Sequence, residues 1–174
     1  MKRRRILAAL AALVLAGCAA VDVDDYRGER PVLDLAQYFN GTVDGWGMFQ
    51  DRSGRVVKRF QVRIDASWDG NTGTLDEHFE YSDGTKERRV WRLVKDGDRY
   101  TGTAGDVVGT ARGAASGNAL HWTYVLALPV EGRTWHVDMD DWMFLVDETT
   151  LLNRTTMSKF GVRLGEVTLS FRRR

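Results

Sequence analysis

Phe60-Gln61-Val62-Arg63-Ile64-Asp65-Ala66-Ser67-Trp68 is apolar at every even position and polar at every odd one. Successive side chains of a strand point to opposite faces, so the stretch reads as an antiparallel strand with one face buried and one in water. Residues 118–130 repeat the pattern, with Leu120, Trp122, Tyr124, Leu126, Leu128 and Val130 on a single face. Working outward from these two, turn-forming clusters punctuate the chain from Val43 on: Asp51-Arg52-Ser53-Gly54, Asp69-Gly70-Asn71, Ser82-Asp83-Gly84, Asp96-Gly97-Asp98, Ser116-Gly117-Asn118 and Glu131-Gly132. Hairpins, not helices, join such strands. A long sheet with one apolar face must curl or split to hide its edges. The expected fold is therefore all-β: a single antiparallel up-and-down barrel of about 8–10 strands, calycin or lipocalin-like, with a β-sandwich as the alternative. Gly102, Gly105, Gly109, Gly113 and Gly165, inside strand patterns, suit sharp corners or bulges.

The other end of the chain reads differently. Lys2-Arg3-Arg4-Arg5 precedes an apolar run from Ile6 to Ala16, and Leu15-Ala16-Gly17-Cys18 follows. The run is too short for a permanent span, which takes about 20 apolar residues, and has the layout of a secretory signal. A cysteine placed after Leu-Ala-Gly resembles the bacterial lipobox, in which the thiol receives diacylglycerol and the signal is cut before the cysteine. The expected organisation is residues 1–17 signal peptide, 18–31 lipidated tether, and 32–174 barrel domain. One acyl chain binds a membrane only marginally and two suffice. With Ala19 rather than Asp after Cys18, the periplasmic leaflet of the outer membrane is the expected address. Within the barrel domain, Val32 to Asn40 has the apolar spacing of one or two helical turns closing against the sheet.

Removing the first 17 residues leaves 157 of 174, one domain's worth. It also removes four basic residues, leaving 21 Lys+Arg against 24 Asp+Glu and a charge near −3. That balance, with no basic stripe, argues against a nucleic-acid partner. Cys18 is the sole cysteine, so neither an internal disulfide nor a thiol nucleophile is available to the domain. Six Trp, seven Phe and five Tyr supply packing area in place of disulfides.

By Tyr38-Phe39-Asn40-Gly41, Trp46-Gly47-Met48-Phe49-Gln50-Asp51, Asp140-Asp141-Trp142-Met143 and Ser158-Lys159-Phe160-Gly161, the chain resembles the DUF3833 lipoproteins of Gram-negative bacteria, from about residue 33 to the end. The resemblance implies a lipocalin-like envelope domain, often encoded beside methyltransferases that modify fatty acids, and supplies no catalytic residue. A more distant resemblance is to lipocalins, which place a Gly-x-Trp at the barrel floor with an arginine of the last strand across it. Gly45 directly precedes Trp46 here, and either Arg163 or Arg172 could take the arginine's part.

The expected ligand site is the inward aromatic set Phe60, Trp68, Trp122, Tyr124 and Trp135, with Trp46, forming a pocket for a fatty acid or phospholipid. The rival reading is a barrel filled by its own rings, acting as an accessory through a protein partner; a lipid-modifying enzyme comes third. Asp141 sits in the middle of the apolar face Trp135, Val137, Met139, Met143 and Leu145, and a buried charge needs a partner. A two-residue turn at Asp147-Glu148 would set Asp141 opposite Arg154. The alternate residues His136, Asp138, Asp140 and Asp76, His78, Glu80 are spaced nearly 7 Å apart on flat strands, too far for three to share one metal, and read as solvated faces balanced by Arg88, Arg89 and Arg92. No cofactor motif, Gly-x-Ser-x-Gly elbow or phosphate loop occurs, which leaves catalysis unsupported.

Overall fold

The computed structural model describes residues 20–174, so Cys18 and the signal region lie outside the described residues. Ten strands close into one antiparallel barrel in chain order: β1 (Gly41–Asp51), β2 (Val56–Asp69), β3 (Thr72–Tyr81), β4 (Lys86–Asp96), β5 (Arg99–Thr103), β6 (Val107–Ser116), β7 (Ala119–Val130), β8 (Arg133–Leu145), β9 (Thr150–Lys159) and β10 (Val162–Arg173), with β10 returning to pair with β1. The expected up-and-down barrel is the fold, and closure pairs every strand on both sides, leaving the start of β4 open toward β5. The alternation that decided it holds in space: Val62 and Ile64 of β2 and Leu120 and Trp122 of β7 are buried, while Arg63, Asp65 and Thr123 are exposed.

The two ends of the barrel differ. One is closed by the expected helical turn, α1 (Leu35–Tyr38), whose Asp34 cap accepts from the Ala36 N–H. Leu35, Tyr38 and Phe39 are buried there. Asp34 is tied to Lys95 at 2.6 Å, Tyr38 donates to the Thr149 carbonyl at 2.9 Å, and Trp68 Nε1 donates to the Phe39 carbonyl at 2.9 Å. Three different strands or turns thus hold the plug. The other end carries the β1–β2, β3–β4, β5–β6, β7–β8 and β9–β10 turns and, among the described residues, has no such plug.

Residues 18–31, expected to be a tether, are from Asp22 laid against the barrel wall. Asp22 caps a 3-10 turn, Val23–Tyr26, by reciprocal bonds with Asp25. The Tyr26 ring packs on Phe144 (5.2 Å) and Trp142 (6.0 Å) on the outer face of β8. The close approach depends on Gly117, at φ +55, because a Cβ there would overlap the Tyr26 carbonyl.

The inner wall is shaped by glycines where a large ring needs room. Gly102 and Gly113 face the indole of Trp122, and a side chain at Gly113 would also meet the His121 carbonyl. Gly109 (φ +73) and Gly165 stand instead at register shifts of β6 and β10, bulges that bend those strands.

Candidate functional site

The barrel encloses a cavity of about 870 Å³, within the range of small-molecule sites. Its lower wall is aliphatic and aromatic: Leu35 and Phe39 of the plug, then Val62, Leu75, Leu93 and Phe171. Above these, Trp91 and Trp122 meet edge to face at 5.8 Å, and Tyr124 meets Trp91 at 5.4 Å. Phe60, Phe79 and Tyr81 line the open end, their rings 5.8–6.1 Å apart.

Of the residues expected to form the ligand site, Phe60, Trp122, Tyr124 and Asp141 line this cavity. The remaining four do not. Trp46 faces outward and is 49% exposed, so Gly45-Trp46 plays no floor role of the lipocalin kind; Ser170 lies opposite it, and Arg163 bonds Glu166 instead. Trp68 is spent on the plug. Trp135 keeps the inward parity but sits at the rim, 42% exposed, with the Lys159 ammonium 5.5 Å from its ring.

Arg154 lies on the outer face, and the reason is one residue of loop. Val146 N–H donates to the Thr150 carbonyl at 2.9 Å, which leaves three residues, 147–149, in the β8–β9 turn rather than two, and the Asp147 carboxylate accepts from the Thr149 and Thr150 N–H groups at 2.8 Å each. Those bonds hold the Asp147 carboxyl down at about 2. Asp141 therefore faces Thr155, and Arg154 faces Trp142. A one-residue change of register sends every side chain to the other face. Arg154 bonds Glu166 at 2.7 Å, and Asp141 takes its hydrogen bond from Asn153.

The middle of the cavity is polar in a way the sequence reading missed. Glu77 is inward between Leu75 and Phe79, and Arg89, expected on the outer face with Arg88 and Arg92, is inward beside Trp91. Arg88 and Arg92 are exposed as expected, Arg88 bonding Asp76 twice at 2.7 Å. The β4–β5 ladder runs only from Asp96 to Arg92, so the start of β4 has no partner on that side. Across this gap Arg89 reaches Asp106, in the β5–β6 turn, through Nε (2.9 Å) and Nη2 (2.7 Å). Its remaining amine, Nη1, is 3.7 Å from Glu77, an ion-pair distance but not a hydrogen bond.

Burial governs the titration of these groups. It pushes the Glu77 carboxyl up to about 7, against the pull of Arg89, and Asp141 up to about 6, against hydrogen bonds from Asn153 and Thr155. Burial, reinforced by the Asp141 charge, also raises the Tyr124 phenol, which stays protonated and able to donate. Glu77 carried the same signal by which Asp141 was found: in Gly73, Leu75, Glu77, Phe79 and Tyr81, one charge interrupts an otherwise apolar or aromatic face.

A closed antiparallel barrel plugged at one end and hollow within is the architecture of the lipocalin-like, or calycin, class. The chain belongs to the family described as protein of unknown function DUF3833, which matches residues 12–173. Among solved structures it is similar to the S-type phycobiliprotein lyase of Guillardia theta, at TM-score 0.58 and 8% identity over 88% of this chain and 99% of the lyase. It is also similar to a protein of unknown function, of the DUF3598 family, from Nostoc punctiforme, at TM-score 0.59 and 11% identity over 84% of this chain and 51% of that one. At such identities the likeness is one of fold. No match was found among curated protein sequences.

Proposed function

We propose that this protein is a lipid-anchored envelope protein, attached through diacylglyceryl Cys18 to the periplasmic face of the outer membrane, that holds an apolar small molecule of the fatty-acid or phospholipid kind inside its barrel. The observation that carries the cargo half is the cavity of about 870 Å³ between the plug and the open end, walled mainly by aliphatic and aromatic side chains. A twelve-carbon chain buried there would gain about 10 kcal/mol at ~0.8 kcal/mol per CH₂. That gain is comparable to the ~4–15 kcal/mol cost of association, so useful affinity depends on the space being ready before the ligand arrives.

The anchor half has a geometric consequence. Cys18 precedes the Asp22 cap by four residues, a reach of at most ~14 Å. Tyr26 and its partners Trp142 and Phe144 lie toward the plugged end, beside the β6–β7 turn. An anchor at Cys18 then holds the plugged end nearest its own membrane and leaves the mouth directed away from it, as suits a carrier that exchanges cargo with something other than its own leaflet.

Two measurements test the halves separately. Tritiated palmitate should label the wild-type chain in cells and not the Cys18→Ser chain; equal labelling would remove the anchor. A polarity-sensitive fluorescent alkyl probe should bind the purified protein saturably at one site; partition without saturation would remove the cargo.

A further inference from the structure

We propose that the polar cluster in the middle of the cavity selects cargo with a proton-donating head, a hydroxyl or an amine, and turns away the carboxylate of a free fatty acid. This rests on the carrier reading above and narrows it, excluding the free fatty acid from the two kinds of cargo named there.

The cluster draws on five elements. Glu77 comes from β3, Arg89 from β4, Asp106 from the β5–β6 turn, Tyr124 from β7 and Asp141 from β8, and all five line the one cavity. The single guanidinium is paired with two of the three carboxyl groups, Asp106 at 2.7 Å and Glu77 at 3.7 Å. That guanidinium is not free, since two of its nitrogens are held by Asp106 across the gap beside β4. An incoming carboxylate would find only Arg89 Nη1 without a hydrogen bond, already shared with Glu77 at 3.7 Å, and would add a further negative charge beside three carboxyl groups.

The decisive atom is Glu77 Oε2. Glu77 is 9% exposed, and its Oε2 is buried without a hydrogen-bond partner, its nearest cation, Arg89 Nη1, standing off at 3.7 Å. Buried polar atoms in folded proteins are almost always bonded, and an orphan acceptor raises the energy of the empty state. A carboxylate oxygen can only be satisfied by a donor. A hydroxyl or ammonium group carried into the cavity on an apolar chain would supply that donor once the Glu77 carboxyl turns toward the cavity its residue lines, while its chain filled the space among Trp91, Trp122 and the plug. Burial holds Glu77 and Asp141 partly protonated near neutral pH, and an ammonium beside them would drive those protons off.

The test uses three probes of equal chain length, dodecylamine, dodecanol and dodecanoate, titrated into the purified full-length protein in one non-ionic detergent at pH 6.5. Tryptophan fluorescence reports binding, and calorimetry in two buffers of different ionisation enthalpy reports proton release. The amine and the alcohol are expected to bind at least tenfold more tightly than the carboxylate, with net proton release for the amine alone. Glu77→Gln is expected to erase most of the amine's advantage over the carboxylate. Dodecanoate binding as tightly as the other two, or more tightly, would overturn the selectivity while leaving the carrier intact. Saturable binding of none of the three would overturn the carrier itself, and the inference with it.

Discussion

Glu77 is the sharpest place to perturb the molecule without touching its shape. Glutamine has the size of the neutral carboxyl and cannot ionise. Burial raises the native Glu77 pKa from 4.5 to about 7, so the folded protein keeps a proton that the unfolded chain gives up between those values. The sign follows from that difference. Below pH 4.5 both states are protonated and the favourable contribution is complete; it is lost as pH rises through 7. At about 1.4 kcal/mol per unit, a charged Glu77 costs the fold about 3 kcal/mol at pH 8 relative to its neutral form. Glu77→Gln should therefore match the wild type near pH 4.5 and exceed it by up to about 3 kcal/mol at pH 8. For a domain of this size that is a rise of ~6–12 °C in melting temperature. Urea unfolding followed by tryptophan fluorescence at the two pH values measures it, and other titrating groups cancel between variant and parent. A variant no more stable than the wild type at pH 8 would refute the burial of this carboxyl without a hydrogen-bonded cation.

Asp147→Ala should loosen the β8–β9 turn, seen as at least tenfold faster hydrogen exchange at Thr149 and Thr150. In the wild type the same protection should persist above pH ~4 and fade as pH falls through about 2, since that carboxyl is held down by the bonds it accepts. Gly117→Ala should push Tyr26 off the barrel and open residues 22–31 to protease, while the barrel's far-UV spectrum stays unchanged. Leu126→Trp should fill part of the cavity and weaken alkyl-probe binding at least tenfold, at a cost to folding of no more than about 1–3 kcal/mol.

Period-two alternation in β2 and β7 was enough to read an all-β fold with one buried face, for which a barrel was expected and a sandwich was the alternative, because a strand's two faces are written in consecutive residues. The same logic placed Phe60, Trp122, Tyr124 and Asp141 inside. It failed at Arg154 because the turn before it holds three residues rather than two, with Asp147 capturing two backbone N–H groups. Trp68 and Trp135 have the right parity but stand at the two ends of the barrel, where parity no longer means enclosure. Glu77 and Arg89 hid among charged neighbours: Asp76, His78, Arg88 and Arg92 do face water, and the two inward charges between them share their composition. The docking of residues 22–31 was the least legible feature. Tyr26 finds its place through Gly117, Trp142 and Phe144, about ninety or more residues away along the chain.

The central claim is that the barrel carries a small molecule in its hollow interior. Native mass spectrometry of wild-type protein and of Leu126→Trp, purified side by side in the same detergent, tests it directly. A single apolar adduct near one equivalent on the wild type, released on denaturation and absent or much reduced in the tryptophan variant, is the expected result. Identical spectra for the two proteins, with no bound molecule on either, would contradict it.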